Sequence, residues 1–297
     1  MLVVACGGQP PPAAHPSAPP PLRADARRLL EPPPAPLPEA YRDELNRGYD
    51  AFVLVPAGTF WMGAQRDDPN GPAYDPEARP DEGPPRRVTL PAFRVMRFEA
   101  SESTFRECVD AGWCAPDDAA TPNLAPPVPS PVPGNAAVDD RPVTSIAWSA
   151  AARLCDWLGA RLPTEAEWER MARGDEGRRY PWGEAPRCGL RATVGDPNPT
   201  SCTLTALPTF ADLEWSAAYG IMGAGGSVWE WVEDAYAPYP TGPAHDPRVP
   251  DGERRVQRGG GWLSVDPSEM RGAARGALPP DTRLPDLGVR CARDEAP

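Results

Sequence analysis

The chain has 297 residues, 40% of them apolar, which is enough for one sizeable core or two small ones and excludes a wholly disordered protein. Its 42 acidic against 30 basic residues give a net charge of -12, which repels phosphate backbones, so nucleic acid is not an expected partner. Every basic residue is Arg, which removes lysine chemistry, and His15 and His245 are the only histidines, which excludes a histidine triad or a multi-histidine metal site.

The stretch "MLVVACGGQ" is similar to the end of a bacterial lipoprotein signal, with Cys6 as the lipidation site. Too few residues precede Cys6 for a full signal, so the expected start of the signal lies further upstream. Residues 7–48 are proline-dense ("PPPAAHPSAPPPLR", "EPPPAPLPEA") and read as a semi-rigid spacer, too rich in proline for helix or sheet. From Tyr49 the composition changes, and one compact domain over 49–297 is the simplest organisation. "YDAFVLVPAGTFWMG" is strand-like and ends in a glycine turn. "DEGPPRRVTLPAFRVMRFEAS" and "RVQRGGGWL" read as further short strands. Segments 66–86 and 116–142 are expected as surface loops, and a short helix is expected over 103–110.

Two helices carry stronger signals. In "TSIAWSAAARLCDWLGARLP", Ser145 is the expected N-cap, Trp148, Ala152, Cys155 and Leu158 share a face, and Gly159 is the stop. "LPTEAEWERMARG" places Thr164 and Glu167 at capping-box spacing, with Gly174 at the C-terminus. Short strands and helices between long irregular segments imply an α+β architecture of low regular content. No run of about 18 apolar residues is present, so membrane attachment is expected only through the lipid anchor.

Setting Cys6 aside leaves six cysteines, the number for three bridges in an exported protein, and Cys108–Cys114, Cys188–Cys202 and Cys155–Cys291 are the natural pairs. Spacing alone leaves all 15 connectivities open.

The ordered motifs "PAGTFWMG", "RPVTSIAWSAAARLCDWLGARLPTEAEWERMARG", "YPWGE", "YGIMGAGGSVWEWVED", "RGGGWLS", "RGAARG" and "LGVRCA" resemble the formylglycine-generating enzyme, or sulfatase-modifying factor, family over about residues 50–294. The resemblance implies that family's variant of the C-type lectin fold, with a disulfide at Cys155 and Cys291 and a broad groove. It also implies groove positions at Trp229, Gly261, Trp262, Arg275 and Asp286, two of them altered from the family pattern: Gly261 replaces a Ser and Asp286 an Asn. Oxidase members hold copper(I) with two cysteine thiolates, and the matching positions here are Ser264 and Glu269. Hydroxyl and carboxylate oxygens are poor partners for soft Cu(I), so copper is not expected. A second family disulfide would need cysteines at Ala172 and Gly272, and both are missing.

The resemblance further implies a calcium loop at Gly223, Gly226, Val228 and Glu230, with Ser227 in place of the usual Asn and an Arg-paired Glu230 as the alternative. A second calcium site is disfavoured by Thr193. Taken together, the expectation is an envelope lipoprotein whose groove binds a peptide, a glycan or an envelope protein. The alternative is an enzyme of the same family: a formylglycine-generating oxidase, or a periplasmic maturation or tautomerase-type activity using Glu269 or Asp286 as general acid or base. Sulfoxide synthesis, as in ergothioneine-type members, would need a histidine-rich iron site that two histidines cannot supply.

Overall fold

A computed structural model describes residues 52–119, 142–184, 217–264 and 266–295. Cys6, the proline-rich spacer, Cys188, Cys202 and Thr193 therefore lie outside the described residues. Among the described residues there are three short helices, α1 (Glu102–Asp110), α2 (Trp148–Trp157) and α3 (Glu165–Arg173). The strands are β1 (Phe52–Val55), β2 (Gly58–Met62), β3 (Arg86–Leu90), β4 (Phe93–Met96), β5 (Trp229–Ala235), β6 (Ala244–His245), β7 (Arg255–Arg258), β8 (Arg275–Leu278), β9 (Leu287–Val289) and β10 (Ala292–Asp294). They form two three-stranded sheets, β1-β4-β10 and β2-β3-β6, and a four-stranded sheet, β8-β7-β5-β9. The expected α+β architecture of low regular content is what the chain adopts.

Helix α3 follows the sequence closely. The Thr164 hydroxyl accepts from the Glu167 N–H and the Glu167 carboxylate accepts from the Thr164 N–H, closing the capping box. Gly174 ends the helix with a φ of 68°, a value that an L side chain tolerates poorly. Helix α1 begins one residue earlier than expected, with the Ser101 hydroxyl accepting from the Thr104 N–H. Helix α2 departs from expectation: its N-cap is Ala147, and Ser145 sits at a φ of 53° outside the helix. The Trp148 N–H is satisfied by the Pro280 carbonyl, so a distant loop replaces the side-chain cap. Its buried face is Ala150, Ala151, Leu154, Cys155 and Trp157, while Trp148 and Ala152 are only half-buried.

Two apolar clusters form the interior. One joins α1 and α2 to Trp229, Trp231 and Leu287, and the other joins β2, β3 and β4 to Trp168 and Met171 on α3. Two disulfides are present among the described residues, Cys108–Cys114 and Cys155–Cys291, as the cysteine spacing and the family resemblance anticipated. The second closes a span of 136 residues, for which chain entropy gives about 4–5 kcal/mol of stabilisation. The segment 66–86 is mostly exposed, as expected of a surface loop, but Asp75 and Glu82 turn inward and are buried against Arg271, whose guanidinium donates to Asp75 at 2.8 Å and to Glu82 at 2.6 and 2.8 Å. A buried guanidinium needs acceptors, and this segment brings them in.

The same logic governs α3, buried throughout although Glu165, Glu167, Glu169, Arg170 and Arg173 all belong to it. Arg258 at the end of β7 donates to Glu169 at 2.6 Å and to Glu165 at 3.3 Å, and also to the carbonyls of Gly272 and Ala273. Arg173 donates to Glu169 at 2.5 Å and to the Gly63 carbonyl at 2.9 Å. Although burial works against ionisation, Arg258 and Arg173 hold the Glu169 carboxyl below its ordinary range. Replacing Arg258 with Met keeps its packing on Trp168 but leaves two buried carboxylates under-compensated. Arg258→Met should therefore lower unfolding free energy by about 3–5 kcal/mol in denaturant titration, and a loss under about 1 kcal/mol would show that the pairing is incidental.

Candidate functional site

The site is built where β7 leaves the four-stranded sheet. Gly259 and Gly260 have φ values of 99° and 69°, and a Cβ at Gly259 would stand 3.1 Å from the Trp168 ring. A Cβ at Gly260 would stand 3.1 Å from the Glu269 carbonyl oxygen, so the glycines permit both the turn and the close approach of the following loop. The turn is pinned beyond them: the Trp262 N–H donates to the Ser227 carbonyl at 2.9 Å and its indole N–H to the Pro285 carbonyl at 3.3 Å. Ser264 closes the turn, its N–H donating to the Gly261 carbonyl and its Oγ accepting from the Gly261 N–H at 3.1 Å.

A short 3₁₀ turn over Pro267–Met270 then carries Glu269. Asp266 caps it, accepting from the Ser268 N–H at 2.9 Å and the Ser268 hydroxyl at 2.6 Å, and Arg79 donates to that same hydroxyl. Asp286, just before β9, packs so closely on Gly261 that a Cβ there would collide with its carboxylate. The altered pair is therefore one adjustment, because the Ser of the family pattern at 261 would displace Asp286. Burial pushes the Asp286 carboxyl above its ordinary range and the charge of Glu269 adds to the shift, while the Asp286 and Leu263 N–H groups oppose it. Ser264 and Asp286 are buried, Glu269 and Trp262 are half-buried, and Leu263 is 49% exposed.

The structure thus brings together Gly261, Trp262, Ser264, Glu269 and Asp286. Arg275 does not join them: its guanidinium donates to Glu165 at 2.7 and 2.8 Å and to the carbonyls of Asp81 and Ala237. It also lies over the rings of Tyr236 and Tyr239. Trp229 is buried in the α1–α2 core, not exposed in a groove, although its N–H donates to the Asp286 carbonyl. Sequence reasoning missed Leu263, whose exposure needs the turn geometry, and Arg79, which lay in a segment expected to be surface loop.

A sequence model described as "Sulfatase-modifying factor enzyme 1-like domain" matches residues 38–295, beginning inside the stretch read as spacer. This chain belongs to that family. It is 33% identical over 310 residues to the formylglycine-generating enzyme of Thermomonospora curvata, covering 87% of this chain and 97% of that protein. It is 30% identical over 295 residues to the inactive C-alpha-formylglycine-generating enzyme 2 of Mus musculus, covering 84% of this chain and 88% of that protein. Among solved structures, Treponema denticola variable protein 1 superposes with a TM-score of 0.58 at 18% identity, over 82% of this chain and 95% of that chain, a likeness of fold alone. The fold is the C-type-lectin-like one of the sulfatase-modifying factor family.

Within that family the donor sets can be tested for metals. Ser264 and Glu269 offer only hard oxygen donors, which do not fit copper(I). The calcium loop fares no better. Both oxygens of Glu230 are engaged, by Arg290 at 2.8–3.2 Å and by the Trp168 indole N–H at 2.8 Å. Glu99 lies 3.5 Å from the same guanidinium and bonds the Ser227 side chain. Burial pushes the Glu99 carboxyl up, with Arg290 opposing and Glu230 adding to the shift. Glu230 is therefore paired with Arg290, as in the alternative reading, and the oxygens it would offer to the loop at Gly223, Gly226 and Val228 already accept hydrogen bonds. Accordingly, EDTA should leave the thermal midpoint unchanged, whereas Glu230→Gln should cost about 3–5 kcal/mol by weakening the partner of a buried guanidinium. A midpoint that falls with EDTA and recovers with calcium would reverse this assignment.

Proposed function

We propose that this sulfatase-modifying-factor-like protein is an extracytoplasmic lipoprotein that has given up copper-dependent formylglycine generation and acts as a ligand-binding module. Lipid at Cys6 tethers it, the proline-rich segment 7–48 holds the domain off the membrane, and the binding face is the turn carrying Trp262, Leu263, Ser264, Glu269 and Asp286. The expected ligand is a peptide, a glycan or an envelope protein. An exposed Leu263 and a half-buried Trp262 supply apolar contact, and two neighbouring carboxylates supply acceptors for ligand N–H and O–H groups.

One observation carries the reading. The positions that would present thiolates hold a hydroxyl already tied to the Gly261 N–H and a carboxylate facing Asp286, and all four cysteines among the described residues are used in disulfides. A relative named as inactive, aligned over most of both chains, is consistent with a family in which loss of the oxidase is tolerated. The raised Asp286 carboxyl, beside Glu269, supports general acid chemistry as a second reading, since burial favours the proton-bearing form.

The test is an anaerobic Cu(I) titration against a competing chelator, paired with an aldehyde assay on a sulfatase-derived cysteine peptide. The expected result is no stoichiometric copper and no aldehyde from the native chain, with copper binding gained by the Ser264→Cys/Glu269→Cys double variant. Stoichiometric copper and aldehyde from the native protein would overturn the reading.

A further inference from the structure

A small cavity lies away from the face just described, walled by Met62 and Arg86 from β2 and β3, Glu165 from α3, Asp234 from β5, Tyr239, and Arg275 from β8. The geometry points to this cavity as a binding site for a monoatomic anion of chloride size, held by Arg86. The wall carries two guanidiniums and two carboxylates, but only Arg275 and Glu165 are paired at contact distance. Arg275 is neutralised by both oxygens of Glu165, at 2.7 and 2.8 Å. Asp234 is committed to backbone, accepting from the N–H groups of Glu165 and Val249 at 2.6 Å each. Burial also pushes the Asp234 carboxyl up to about 7, so its negative charge is incomplete near neutral pH.

Arg86 is left over. Only 6% of it is exposed, and its contacts are the Met62 sulfur at 3.9 Å and the Tyr239 ring at 5.2 Å. Its Nε is buried without a partner, and among the described residues no carboxylate lies within ion-pair distance of it. The Tyr239 hydroxyl is likewise buried and unpartnered. A buried guanidinium without a counter-charge is costly, and polar atoms buried together without partners mark a place where a small polar occupant belongs. Size favours a small occupant: the cavity has about 20 Å³ for a particle seated inside it, roughly one water-sized sphere. A halide fits and supplies the missing charge.

Bromide is the probe. Crystals of the protein grown in sodium bromide should show an anomalous peak in the cavity beside Arg86. In solution, the thermal midpoint should rise by about 2–4 °C in bromide relative to sodium gluconate at equal ionic strength. Arg86→Met should abolish both signals and Arg86→Lys should keep a weakened one. If Arg86→Met does not fold, the native peak and the Lys variant still decide the matter. A cavity holding only water in saturating bromide, or a bromide shift unchanged in Arg86→Met, would overturn the proposal. Neither result bears on the Ser264–Asp286 face, so the two readings fail separately.

Discussion

Helix α3 carries five charged side chains in nine residues and is nevertheless buried on all sides. Such a segment is excluded from an interior unless every charge arrives with a partner, because desolvating an unpaired ion costs several kcal/mol. Two partners come from far along the chain, Arg275 on β8 reaching Glu165 and Arg258 on β7 reaching Glu165 and Glu169; the rest are local, Arg173 sharing Glu169 within the helix, Arg161 reaching Glu167 at 2.7 Å, and Asp175 taking Arg170 at 2.9 Å. The four-stranded sheet, the β2–β3 hairpin and the loop before β8 therefore converge on one helix. Regular secondary structure is sparse, and it is this ionic lattice, with the Cys155–Cys291 bridge, that supplies long-range order.

The turn after β7 inherits its position from that lattice. Arg258 fixes the end of β7, and Gly259, next in the chain, abuts the Trp168 ring on α3. Trp168 in turn donates to Glu230, which Arg290 holds. The residues of the turn itself contribute little to this framework. Ser264 bonds within the turn, to Gly261, and the charge of Glu269 acts on Asp286. A scaffold anchored by charges behind the site can exchange thiolates for oxygens at the site. The missing second disulfide obeys the same rule: a side chain at Gly272 would collide with the Arg173 stem, which the lattice already fixes.

Local chemistry was legible in the sequence where it acts over a few residues. The Thr164 capping box, the Gly174 stop and the Cys108–Cys114 pair all depend on neighbours close in the chain, and the motif order revealed the family. What stayed hidden depends on partners far apart. Ser145 looked like a cap because nothing local shows that the Pro280 carbonyl takes the Trp148 N–H. Nothing local shows that segment 66–86, exposed at most positions, turns Asp75 and Glu82 inward to Arg271. Family position alone puts Arg275 in a groove and Glu230 in a calcium loop, and the ion pairs they make, with Glu165 and Arg290, are ones that spacing cannot assign. In a chain with 42 acidic and 30 basic residues, pairing is a three-dimensional fact.

The dependence of the fold on the α3 lattice is open to native-state hydrogen exchange. Amides of Glu167–Arg173 should exchange only through global unfolding, with opening free energies equal to the full stability and equal to those of β5 and β7. Exchange of α3 at a markedly lower free energy, while the four-stranded sheet stays protected, would mean that the helix is an appendage and that the sheet stands without its charges.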